Sequence, residues 1–126
     1  MSKGLRAEFS DVSKRFRTPK GDWYQALANL NFKVEAGQFV ALVGPTGSGK
    51  STALTLLAGL EQPSSGTVAV DGKVVTDIDT STGFVFQHDA TFHWMNVKIN
   101  IAAGPKFRGA TEAETGVLVA KRIYKI

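Results

Sequence analysis

Apolar and polar positions alternate along the first third of the chain in the two-residue period of half-buried β-strands. Leu30-Asn31-Phe32-Lys33-Val34-Glu35 is the clearest case. Leu5 to Phe9 predicts an earlier strand, whose edge Lys14 to Arg17 continues. Thr18-Pro19-Lys20-Gly21-Asp22 reads as a turn, since Pro fixes φ and Gly relaxes it. After Ala36-Gly37-Gln38 the alternation gives way to a continuous apolar run, Phe39-Val40-Ala41-Leu42-Val43, which predicts a strand buried on both faces. Ser51 to Ala58 predicts a helix that Gly59 ends. Glu61 to Gly66 is a loop. Thr67–Val70 and Lys73–Val75 flank Asp71-Gly72, the pattern of a β-hairpin with a positive-φ turn. Gly83-Phe84-Val85-Phe86 predicts one more apolar strand, and the tail from Ala110 to Ile126 starts a helix with Glu112, Glu114 and Lys121 on polar faces.

Between the apolar run and the helix lies Gly44-Pro45-Thr46-Gly47-Ser48-Gly49-Lys50-Ser51, a match to G-x-x-x-x-G-K-[ST]. Strand, glycine loop and helix are the context that this phosphate-binding loop requires. Glycines let the backbone approach an anion closely, and successive N–H groups then line one concavity. The helix start adds unpaired N–H groups and the positive end of its dipole. Lys50 brings a full charge for the β- and γ-phosphates, and the Ser51 hydroxyl is the expected Mg²⁺ ligand. The bland alternative is a glycine turn before a helix. A chance match in 126 residues has a probability of about 1% or less, so a nucleotide phosphate site is the reading carried forward.

Composition narrows the class without deciding it. With 43% hydrophobic and 21% charged residues, the chain has the make-up of an ordinary globular protein with one core. No apolar stretch reaches membrane-spanning length, and Met1-Ser2-Lys3-Gly4 lacks a signal peptide's apolar segment. Zero cysteines exclude disulfides and thiolate metal sites, and a reducing cytoplasm is expected. The net charge of +4 is modest, and Lys14-Arg15-Phe16-Arg17 carries no reading motif, so nucleic acid is not expected as a partner. His88 and His93 have no neighbours at metal-ligand spacing.

From Val12 to Gly109 the chain resembles the N-terminal half of an ATP-binding cassette (ABC) transporter ATPase, and within that family the bacterial importers of nitrate, sulfonate and taurine-type solutes. The residues that carry this are Val12-Ser13-Lys14-Arg15-Phe16, Ala36 to Gly44, Leu57 to Gly66, Val70-Asp71-Gly72, Val85-Phe86-Gln87, and the Trp94 segment running into Asn100-Ile101. The resemblance implies an α/β P-loop NTPase fold with an antiparallel β-rich N-terminal part, truncated, so that residues 1–126 form a partial nucleotide-binding domain. It implies ATP and Mg²⁺ as ligands. Gly44, Pro45, Thr46, Gly47, Ser48, Gly49, Lys50 and Ser51 would cradle the phosphates, with Thr52 at the α-phosphate. Phe16 would stack on adenine; the alternatives are that Phe16 is core, or that Trp23 or Tyr24 does the stacking. Gln87 would reach Mg²⁺ and the attacking water.

The resemblance also implies a permease partner along Gln87 to Asn100, a homodimer of the complete subunit, and a peripheral place on the inner face of the plasma membrane. Phe92 and Trp94 either meet that partner or pack on the domain core. His93 stands where the family more often has proline. No Leu-Ser-Gly-Gly-Gln-like signature, apolar strand ending in Asp, catalytic Glu or switch His follows Gly109. Slow turnover by this chain alone is therefore expected. The Phe39–Val43 strand is expected to lose a neighbour that the missing half would supply, exposing its backbone and apolar side chains. A docking module without catalysis and a small-kinase-like P-loop protein are the other readings.

Overall fold

A computed structural model describes residues 4–123, which divide into two compact units, one up to Gly83 and one from Phe84 onward. In the first, β1 (Ala7–Arg17), β2 (Trp23–Val34), β3 (Ser65–Val70) and β4 (Lys73–Val74) form one sheet in the order β2-β1-β3-β4. Every pairing in it is antiparallel. β1 is a single strand where the sequence pattern shows two pieces. Its alternation breaks at Asp11 (φ 49°), where the register with β2 slips, as it slips near Asn29 (φ 46°). Side chains stabilise the irregularity: Asn31 Nδ2 donates to Asp11 Oδ1 at 2.8 Å, and the Asp11 N–H donates to Asn31 Oδ1 at 2.8 Å. An extra residue of this kind bends a strand and raises its twist.

The Asp71-Gly72 hairpin forms as the sequence indicates, with both residues at positive φ (48° and 76°). Asp71 Oδ1 also accepts from the Arg6 N–H at 2.7 Å, fastening the turn to the start of β1. α1 (Lys50–Leu57) packs on the sheet through Ala53 and Leu56, which join Phe9, Val12, Leu27 and Val68 in one core. Phe9 and Phe32 stack beside them with centroids 4.4 Å apart. The helix closes with N–H bonds from Gly59 to Leu56 O (3.2 Å) and from Leu60 to Thr55 O (3.0 Å), the paired pattern that satisfies terminal carbonyls.

Two predicted strands are absent among the described residues. Phe39–Val43 has no strand assignment, and Phe39 and Val43 are 98% and 92% exposed. Gly83–Phe86 is likewise irregular. The reason is shared: a short apolar run has no local hydrogen bonds and becomes a strand only beside another strand. The exposure foreseen for Phe39–Val43 is therefore present, and the pairing is not.

The second unit holds α2 (Val97–Phe107) and α3 (Glu112–Ile123). Asn96 caps α2, its side chain accepting from the Ile99 N–H at 2.9 Å. α3 starts with a capping box, the Thr111 N–H donating to Glu114 Oε2 (2.9 Å) and the Glu114 N–H to Thr111 Oγ1 (3.3 Å). Ala102, Thr115 and Val119 are the buried residues of this helix pair. Of the tail helix read from the sequence, Tyr124, Lys125 and Ile126 lie outside the described residues.

Candidate functional site

The loop from Gly44 to Gly49 folds over the start of α1. The Ser48 N–H donates to Pro45 O at 3.2 Å, and Gly49 (φ 88°) turns the chain into the helix, its carbonyl accepting from the Ala53 N–H at 2.9 Å. Gly49 is required twice over. Its left-handed backbone disfavours side chains, and a Cβ there would lie 2.6 Å from both Ala26 O and Leu27 Cδ2 of β2. The loop thus rests directly against the sheet.

Lys50, the first residue of α1, turns back into the loop. Its Nζ donates to Gly44 O and Pro45 O at 2.7 Å each and to Ser48 Oγ at 3.1 Å. An ammonium has three donors, so the loop's own oxygens engage all of them and fix the charge inside the turn. The cap of α1 offers no side-chain bond, and no acidic residue stands in the first turn. Loop backbone, helix start and ammonium together present fixed positive potential with no acidic residue in the first turn of α1 to neutralise it, the arrangement that receives an oxyanion. Thr46, Gly47, Ser51 and Thr52 belong to the same turn and helix start.

Phe16 lies near the end of β1, directly across from Tyr24 of β2. The Tyr24 hydroxyl donates to Gly47 O at 3.4 Å, which links the aromatic end of the sheet to the loop. Phe16 is half-buried and outside the core cluster, while Trp23 and Tyr24 are exposed. The structure so brings Phe16 and the loop to one end of the first unit through Tyr24, a residue the sequence offered only as an alternative stacking partner. Gln87 belongs to the second unit and lies outside regular secondary structure.

Mg²⁺ fits the donor chemistry present. Among the described residues no group of His, Cys, Asp and Glu could hold a metal by itself. An Mg²⁺ ion here would rest on a loop hydroxyl, on phosphate oxygens and on its own waters, several of which this ion usually keeps. A cavity of about 470 Å³ elsewhere in the first unit is lined by Leu57, Val70, Lys73, Val75 and Asp77, with no loop residue among its walls. The site is defined by its donors and not by cavity volume.

In the second unit, the segment before α2 is shaped by Asn100. Its Oδ1 accepts from the Phe92 N–H at 2.8 Å, and its Nδ2 donates to the carbonyls of Phe92, Met95 and Asn96 at 3.1, 2.9 and 3.1 Å. Phe92 packs between Trp94 and Phe107, with centroids at 5.5 and 6.5 Å. Phe92 is half-buried, whereas Trp94, Val97 and Phe107 are largely exposed.

A family profile described as ABC transporter matches residues 27–124. The chain belongs to the ABC transporter family. It is 44% identical over 110 residues to the nitrate import ATP-binding protein NrtD of Synechocystis sp., covering 87% of this chain and 41% of that relative. It is 38% identical over 105 residues to the taurine import ATP-binding protein TauB of Roseobacter denitrificans, covering 83% and 39%. Among solved structures, the ATP-binding cassette MJ0796, a dimer in a post-hydrolysis state bound to ADP and Pi, superposes with a TM-score of 0.76 at 28% identity. That match covers 90% of this chain and 54% of the cassette. The fold is thus that of the N-terminal portion of an ABC ATPase, and the chain spans about two fifths of the length of these curated relatives. Among the described residues no helix is long and apolar enough to cross a membrane.

Proposed function

We propose that this chain is the nucleotide-binding portion of an ABC importer's ATP-binding subunit, taking Mg·ATP by its phosphates. The observation that carries the reading is Lys50, whose ammonium is held inside a glycine loop at an uncapped helix start. Backbone N–H groups of Gly44 to Lys50 would bind the phosphate oxygens, Lys50 would exchange a loop carbonyl for a β- or γ-oxygen, and Thr52 would reach the α-phosphate. Ser51 is the proposed Mg²⁺ ligand at the helix start. Gln87 is proposed as a further oxygen ligand on its sequence position alone. Bound Mg²⁺ would neutralise phosphate charge, and everything else is positioning by the loop. Phe16, with Tyr24 beside it, is the proposed platform for the base.

For the whole subunit, nitrate-, taurine- or sulfonate-type import is the proposed activity, supported by the printed names of the nitrate and taurine relatives. The exposed Trp94 and Val97 support docking on a permease through the Gln87–Asn100 stretch. Peripheral attachment to the inner face of the plasma membrane, and pairing of complete subunits into a homodimer, belong to the same proposal. Turnover by these 126 residues alone is proposed to be negligible: the carboxylates after Gln87 are Asp89, Glu112 and Glu114, and none of them belongs to the unit that holds the loop.

Calorimetric titration with Mg·ATP tests the phosphate site. Charge-assisted hydrogen bonds contribute about 1.5–3 kcal/mol, so Lys50→Ala is expected to bind at least about ten-fold more weakly. Equal affinity of Lys50→Ala and the parent would end the proposal.

A further inference from the structure

Lys14 and Phe16 share a face of β1, opposite Leu27 and Tyr24 of β2. The Lys14 ammonium stands 4.8 Å from the centroid of the Phe16 ring, within cation–π range. It is fixed there from the other side. Nζ lies 2.7 Å from Glu61 Oε2 and 2.7 Å from Gln62 O, both just after α1. The Lys14 side chain is only 12% exposed, against 45% for Glu61. An exposed lysine–glutamate pair is mobile and weak, whereas this ammonium is largely enclosed by a carboxylate, a carbonyl and an aromatic face. The neighbouring Arg15 guanidinium sits over Trp23 at 5.6 Å, so cations line the aromatic end of the sheet.

A cation on one face of a phenyl ring has two consequences. That face is closed to any other flat group. The opposite face is depleted of electron density, because the ring's negative quadrupole is drawn toward the charge. An electron-rich purine therefore stacks more favourably on the remaining face than on an unpolarised ring. We infer that Lys14 is a positioning and specificity-determining residue for the nucleotide base, acting through Phe16 by closing one ring face and polarising the other. The inference rests on the proposed reading of the loop as a phosphate site and of Phe16 as the base platform. It assigns to Lys14 no contact with the phosphates.

Two probes separate these layers on the full chain: Mg·ATP, which carries a base, and Mg·tripolyphosphate, which does not. Lys14→Met keeps the aliphatic stem and removes the charge, and Lys14→Arg keeps a cation on the ring. The expected result is Mg·ATP binding about three- to ten-fold weaker in Lys14→Met. Tripolyphosphate affinity should stay within about two-fold and Lys14→Arg should bring ATP affinity back to within about two-fold of the parent. Unchanged ATP affinity in Lys14→Met overturns the inference. So does equal weakening of both probes, which would make Lys14 a general charge or a structural support. A parent that binds tripolyphosphate as tightly as ATP removes the base platform and leaves the phosphate site standing. A parent that binds neither removes the phosphate site, and the inference with it.

Discussion

Gly47 and Gly49 both hold left-handed backbone, with φ of 79° and 88°, yet the structure assigns them unequal effects. Placing an L side chain in this region disfavours it by about 1–2 kcal/mol. At Gly47 a Cβ would meet nothing within 4 Å, so Gly47→Ala is expected to lose only that amount. At Gly49 the same Cβ would sit 2.6 Å from Ala26 O and 2.6 Å from Leu27 Cδ2. The carbonyl belongs to β2 and Leu27 to the core, so neither yields without moving the sheet or the packing around Ala53 and Leu56. Overpacking of that kind adds about 1–3 kcal/mol, which brings Gly49→Ala to about 2–5 kcal/mol. Small domains hold about 5–15 kcal/mol in total, so the difference decides whether a cooperative transition survives. Urea unfolding of the two variants, compared through their midpoints at unchanged slope, measures it. Equal destabilisation, or Gly47→Ala as the weaker protein, would refute the claim that the loop is seated against β2.

Other consequences follow from the second unit and from the exposed apolar segment. Glu114 has its carboxyl held below the usual glutamate range by hydrogen bonds from the Thr111 N–H and hydroxyl. A lowered folded-state pKa gives stability that is present at neutral pH and lost as the pH falls through the acidic range. Protection of the amides in the first turn of α3, corrected for the pH dependence of intrinsic exchange, should therefore fall in acid, and Glu114→Gln should flatten that dependence. Asn100→Ala removes four hydrogen bonds around Phe92–Asn96. Exchange and proteolysis at that segment should rise with little change in β1–β3, and uniform loosening of both units would count against a local role. Replacing exposed Phe39 and Val43 by Asp and Lys should lower dye binding to apolar surface and slow self-association without loss of the sheet. Collapse of the sheet in that variant would show that the segment packs where the structure leaves it bare.

The parts of this fold legible in the sequence are those determined locally. Asp71-Gly72 dictates its own turn, and Gly44 to Ser51 announces a loop between an apolar run and a helix. Where distant chain decides, the pattern misleads. Phe39–Val43 reads as a buried strand because its composition is that of one, but a strand needs a pairing partner, and none of the four described strands pairs with it. β1 looks like two strands because the irregularity at Asp11 interrupts the alternation. The start of α2 carries a weaker local signal, Asn96 just before Val97, an N-cap ahead of an apolar stretch. In the site, Lys50 was legible from its motif. The hold on Lys14 was not, because Glu61 lies 47 positions away and comes close only when α1 packs on the sheet. Tyr24 meets Gly47 for the same reason, 23 positions apart.

Thermal unfolding of the chain with and without Mg·ATP, set beside Lys50→Ala, addresses the nucleotide site most directly. Ligand at a hundred times its dissociation constant stabilises a folded state by about 2.7 kcal/mol when only that state binds. A nucleotide site built on Lys50 gives a cooperative transition that Mg·ATP raises in the parent and leaves unmoved in Lys50→Ala. An equal rise in both proteins, or none in the parent, would contradict it.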